Sequence, residues 1–242
     1  MYEPLAQQIV LIILILLYGT VLAKLVPEKY HIYLNIFIAS LAVALGISFG
    51  LDFTEMGLSL TKILPGIFVA ILASIVITAG TLLISAIPIL RKYFIGEDLS
   101  NASGKLIAFE TAIRIPLGTA LVEEVLFRGV LLGLMLSLHS TLIAILLSSI
   151  IFGLWHIFPT IKSLEKNDAA AALVGKNKSK KSGSIIAVIL VTTVAGIFFA
   201  WLSIISNSIL APWLVHWSIN ASGVMGISVA KKLQAKKVKN DK

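Results

Sequence analysis

Glu123 and Glu124 are adjacent carboxylates, and Arg128 places a guanidinium four residues beyond the second. All three stand inside an apolar run from Ile115 to Leu136. A charge at the centre of a bilayer helix costs roughly 2.5–3.5 kcal/mol on insertion scales. Three such groups must therefore face protein or trapped water, not lipid. Their spacing divides their work. Glu124 and Arg128 share a helix face, with the acid on the favourable N-terminal side. Glu123 lies about 100° round the helix from Glu124 and is left without that partner. One carboxylate reads as paired and structural, the other as free for general-base work.

Two further apolar runs carry polar residues. His156 stands in Phe152-Gly153-Leu154-Trp155-His156, and His216 and Asn220 stand four apart on one face of the last run. The simplest arrangement points all of them into one shared polar cavity. Each taken singly has a plainer reading. A membrane His or Asn is often only an interhelical hydrogen-bonding group. The Glu124–Arg128 pair reads as packing glue that fixes Glu123. Phe152 reads as a core aromatic, and Trp155, Trp213 and Trp217 as packing or interfacial residues. His31 and His139 fall at span ends and read as interfacial. Glu110 and Arg114, also four apart, read as an ordinary surface pair where the helix begins.

The elements that must position these groups are membrane helices. The 242 residues are 58% hydrophobic and 13% charged, with mean hydropathy +0.98. That composition reads as an all-α, polytopic helical bundle in a single domain. There is no cysteine, which excludes disulfides, a thiolate nucleophile and a Cys-based metal site. About seven stretches are long enough to cross a bilayer: Leu5–Leu25, His31–Gly50, Leu64–Leu90, Ile113–Leu136, Thr141–Phe158, Ser184–Ser206 and Ser208–Ala230. The short break at Ser206-Asn207-Ser208 predicts a tight antiparallel hairpin. Met1-Tyr2-Glu3-Pro4 lacks a basic leader, so the first run reads as a retained span.

The net charge of +8 does not point to nucleic acid, because the lysines gather in alternate loops and in the tail. Positive-inside counting puts the N-terminus outside and the C-terminus in the cytoplasm. The Lys-rich segment 159–183 is then a cytoplasmic loop, and residues 231–242 form a basic cytoplasmic tail against solvent or anionic lipid.

As a set, the polar residues are far more specific than singly. Glu123-Glu124-x-x-x-Arg128, Phe152-x-x-x-His156 and His216-x-x-x-Asn220 resemble the three ordered motifs of the CAAX-prenyl-protease and bacteriocin-processing family, also called the Abi family. The resemblance covers roughly residues 113–226. It implies an intramembrane endopeptidase similar to the type II CAAX prenyl proteases. Glu123 with His156 would activate a water, and His216 with Asn220 would steady the oxyanion. Glu124 and Arg128 complete the implied catalytic set.

Metal use stays open at this stage. Glu123, His156 and His216 could ligate zinc with one open position, and the same groups could serve a metal-free glutamate protease. The chain lacks a His-Glu-x-x-His element. The implied partner is a membrane-associated substrate: a CAAX-type protein, a peptide pheromone or a bacteriocin leader. Two competitors come from other classes. One is a non-catalytic bacteriocin-immunity or sensor-kinase regulator, which some members of the family are said to be. The other is a proton-coupled carrier using Glu123, which the lack of an inverted repeat disfavours. Buried ionisable groups favour catalysis over simple binding. Composition points to a low-GC bacterial source. Depth counting leaves His216 nearer the outer half of the bilayer than His156, unless tilt or a bend at Pro212 brings them level.

Overall fold

The computed structural model describes residues 2–59, 63–91, 94, 102–166 and 178–240. Those residues build helices joined by short turns, with no strand among them. Long apolar runs favour helices because a helix satisfies its own backbone polar groups, as a membrane demands. The helices are α1 (Tyr2–Leu25), α2 (His31–Ser48), α3 (Ile63–Ala86), α4 (104–136), α5 (Thr141–Trp155), α6 (Ile157–Lys166), α7 (Lys178–Ser206) and α8 (Leu210–Asn240). Helix α3 packs chiefly on α8, α5 on α7, and α2 on α4.

Five helical stretches among the described residues are long and apolar enough to cross a membrane: Pro4–Leu25, Glu28–Ser48, Ile67–Ala86, Thr141–Lys162 and Ser182–Ser206. The expected fourth and seventh spans are helical but fall outside this set. They are the two helices that carry Glu123, Glu124, Arg128, His216 and Asn220, and those polar groups lower their apolar character. Helix α4 is central rather than lipid-facing, since Val122–Met135 is buried on every side.

Much of α4 is wound wider than an α-helix. Ile115 N–H donates to Glu110 C=O and Leu121 N–H to Pro116 C=O, each five residues back. Such widened turns gather at functional sites. Pro116 sits at their centre and has no N–H, so Thr111 C=O loses the donor that lies five residues on. The Trp217 indole supplies the missing proton at 2.6 Å. Trp213 donates to Pro116 C=O at 2.9 Å. From the other side Asn35 of α2 donates to Gly118 C=O and accepts from the Tyr18 hydroxyl. Side chains of α1, α2 and α8 thus hold the wide stretch in place. Trp213 and Trp217 are buttresses of α4, a more specific role than the packing read for them in the sequence.

Small residues let neighbours approach closely, the usual device where lipid gives helices no hydrophobic reason to associate. Ser149 and Gly153 of α5 face Gly196 and Thr193 of α7; a Cβ at Gly153 would overlap Thr193 Oγ1 and lie 2.9 Å from Ile189 C=O. The 51–58 loop folds back over α4, where Gly129 and Gly133 admit the carbonyls of Met56 and Glu55. Ile209 N–H then donates to Gly57 C=O at 3.0 Å, tying that loop to the α7–α8 turn. In that turn Asn207 adopts φ 48, a conformation Asn tolerates better than most residues.

Three boundaries differ from the sequence reading. The fifth span breaks at His156, between α5 and α6. Residues 159–166 continue as helix α6, and α7 begins at Lys178. The middle of the expected loop, 167–177, lies outside the described residues, as do Lys62, Lys92 and Lys242 of the charge pattern. The basic tail continues α8 as helix to Asn240.

Candidate active site

The site is built on α4 and closed by α5 and α8. Arg128 Nη1 donates to Glu124 Oε1 at 3.2 Å, with Arg128 3% and Glu124 0% exposed. The expected i,i+4 pair is present. It is also more than a pair, because His216 Nδ1–H donates to the same Glu124 Oε1 at 2.7 Å. The carboxylate can only accept, so the Nδ1 proton is fixed and Nε2 is left to face the site. Phe199 stacks on the His216 ring at 5.0 Å and 21°. The Arg128 guanidinium lies 4.1 Å from the Phe152 ring centroid and 4.9 Å from that of Phe199. A buried cation thus gains two aromatic faces as well as its carboxylate.

Glu123 turns the other way, as its 100° offset requires. Its Oε2 lies 3.9 Å from His156 Nε2 and 3.8 Å from His216 Nε2. Both distances exceed a hydrogen bond, and Oε2 has no other partner. His156 Nδ1–H donates to Phe152 C=O at 2.8 Å. Its free nitrogen is therefore Nε2, as in His216. Phe152 sits edge-on to the His156 ring at 4.6 Å, the contact expected from their spacing. His156 caps α5, and with Nδ1 held by the Phe152 carbonyl its Nε2 points at Glu123 of α4. The mismatch in depth between His156 and His216 is thereby removed. Asn220 lies one turn beyond His216 on α8, half-buried, and its side chain has no hydrogen-bond partner among the described residues. Glu123, Glu124, Arg128, His156 and His216 are gathered at one point, and Asn220 flanks them.

Comparison with known families agrees with this arrangement. Residues 106–222, just under half of the chain, match the family described as type II CAAX prenyl endopeptidase Rce1-like. Over those residues the chain is similar to that family. No curated protein and no solved structure matches it. The match spans every residue of the constellation. Helices α1–α3 lie outside it.

A cavity of about 680 Å³ runs between α1, α2, α4 and the α5–α6 corner, with Glu123 in its wall. Three residues that the sequence reading set apart from the chemistry also line it. Glu110 and Arg114 are not a surface pair: Glu110 is 8% exposed, and its carboxylate accepts from Arg114 Nε–H inside the cavity. His31 lines the same space, and its Nε2–H donates to Val26 C=O at 3.0 Å. Asn35 lines it too and was missed, although a lone Asn in an apolar run is a visible signal. Gln8 was missed on the same terms. It is buried, donates to Leu134 C=O at 2.9 Å, and accepts from His139 Nε2–H at 3.0 Å. That contact fastens α1 to the end of α4.

Zinc would need three donors arranged round one point. The donor types of Glu123, His156 and His216 suit it, but two ligands of a tetrahedral zinc stand about 3.4 Å apart at ordinary bond lengths. Here Glu123 Oε2 is 3.8 and 3.9 Å from the imidazole nitrogens. Among the described residues no group of three His, Cys, Asp or Glu has metal-binding geometry. As placed, the carboxylate oxygen stands about 0.4 Å farther from each imidazole nitrogen than two ligands of a bound zinc would.

Proposed function

We propose that this chain is an intramembrane endopeptidase in which Glu123, assisted by His156, activates the water that attacks a peptide carbonyl. The observation that carries this reading is the meeting of Glu123 Oε2 with the Nε2 atoms of His156 and His216, at 3.9 and 3.8 Å. A water beside these atoms gives one proton toward Glu123 and rests the other against the His156 Nε2 lone pair. Attack makes a tetrahedral oxyanion on the carbonyl. His216 donates to it from Nε2, which requires both ring nitrogens to be protonated, with the Glu124 carboxylate as counter-charge. Asn220, one turn away, supplies the second donor once substrate is seated. The leaving amine then takes its proton back from Glu123. No step needs a metal ion.

The substrate is a membrane-associated protein or peptide of the CAAX type, presented at the lipid boundary. The catalytic face opens to the cytoplasm, with the N-terminus outside and the C-terminus inside. The test compares wild type and Glu123→Gln in proteoliposomes with a lipid-anchored CAAX-type peptide, the products being read by mass spectrometry. Wild type should cut the peptide and Glu123→Gln should not, at equal insertion. Equal turnover by the two proteins would remove Glu123 as the base.

A further inference from the structure

We infer that Arg114 is a substrate-specificity residue: its guanidinium receives the free α-carboxylate at the C-terminus of the peptide lying in the cavity. The inference rests on the endopeptidase reading above and names the end of the substrate that the cavity recognises.

Four observations carry it. First, Arg114 and Glu123 line one continuous cavity. Second, Glu110, itself 8% exposed, takes only the Arg114 Nε–H. That bond fixes the plane of the guanidinium. Among the described residues the two Nη groups have no hydrogen-bond partner, and this is the edge that binds a carboxylate through two parallel bonds. Third, the Arg114 side chain is 35% exposed, so the fork is open to a ligand, unlike the sealed Arg128. Fourth, Lys162 adds a second cation to the wall.

The backbone explains why one cavity can hold both groups. Residues 114 and 123 are about two and a half turns apart in a regular α-helix, and so would point to opposite sides. The i→i+5 turns at Glu110–Arg114 and Pro116–Ala120 advance less per residue and bring the two onto the same space. The separation along the axis is at most about 13 Å. An extended peptide covers that in about four residues, so a carboxylate at Arg114 leaves a nearby peptide bond at Glu123.

Binding and cleavage are measured separately, so that failure of one reading is not failure of the other. A fluorescent, lipid-anchored CAAX-type peptide is prepared with a free C-terminus and as its C-terminal amide. Affinities are measured in phosphatidylcholine nanodiscs on Glu123→Gln protein, which reports binding whether or not the wild type cleaves. The acid should bind about ten- to hundredfold more tightly than the amide, the range expected of charge-assisted hydrogen bonds. Adding Arg114→Gln should bring the ratio close to one, and Arg114→Lys should give an intermediate value. The ratio is read within each variant, so partial loss of folded protein does not alter it. Arg114→Lys serves if Arg114→Gln does not fold. In wild-type turnover the same preference should appear in KM more than in kcat. An acid preference that survives Arg114→Gln, or no preference in the parent, overturns the inference. A preference abolished by adding phosphatidylglycerol assigns the fork to a lipid headgroup and overturns it as well.

Discussion

Glu124 is the residue whose role changes most once neighbours are visible. Four-residue spacing ties it to Arg128, but its Oε1 also receives His216 Nδ1–H. Glu124→Ala leaves a buried guanidinium unpaired and lets the His216 ring turn. Breaking a buried pair from one side typically costs about 3–5 kcal/mol. Differential scanning fluorimetry in detergent should show a large fall in Tm for this variant, and an unchanged Tm would count against the pair. Asn220→Ala should behave in the opposite manner, because among the described residues its side chain has no hydrogen-bond partner and its proposed role begins only as charge develops. Its thermal stability should match wild type while kcat drops by about 10²–10³, as for loss of one oxyanion donor. A change confined to KM would place Asn220 in substrate binding instead.

At the scale of elements, two contacts decide whether the site is held in shape. The first is the wide stretch of α4. Pro116 removes an N–H there, and Trp217 restores a donor to Thr111 C=O. Trp217→Phe keeps most of the packing but orphans that carbonyl, at a cost of about 1–3 kcal/mol. Its loss of stability should exceed that of Trp201→Phe, whose ring is 48% exposed; equal losses would mean that the hydrogen bond adds nothing. The second contact is the close approach of α5 and α7. A methyl group at Gly153 meets Thr193 Oγ1 and Ile189 C=O, so α5 must shift with Phe152 and His156 on it. Gly153→Ala should cost about 1–3 kcal/mol through overpacking and lower activity even in the fraction that remains folded. Normal turnover per folded molecule would show that the His156 position tolerates that shift.

On the scale of the whole molecule, the chain wraps five apolar stretches round a buried polar helix. The candidate site lies in the C-terminal half, while α1 and α2 wall the cavity that leads to it. The proposed orientation rests on the lysines alone. Cysteines introduced singly at Lys180 and Lys239 of this cysteine-free chain should react with an impermeant maleimide only in opened cells or inverted vesicles. Labelling of either site in intact cells would reverse the orientation.

The all-helical class, the membrane setting and the members of the site were legible in the residues themselves. A charge in an apolar run is costly enough to betray its function, and an i,i+4 spacing on a helix fixes which groups are neighbours. Glu124 with Arg128, and Glu123 without a partner, follow from that rule alone. Contacts between elements do not obey it. The bond from His216 to Glu124 joins α8 to α4 across 92 positions, and no local spacing encodes such a distance. Glu110 and Arg114 were placed away from the chemistry because they stand where the helix begins, ahead of the apolar run. Backbone bonds five residues apart, held by donors from α2 and α8, depart from 3.6 residues per turn there, which spacing alone assumes. The residues determined which groups must avoid lipid; only the packing of distant helices decided which of them face each other, since that depends on where each backbone bends.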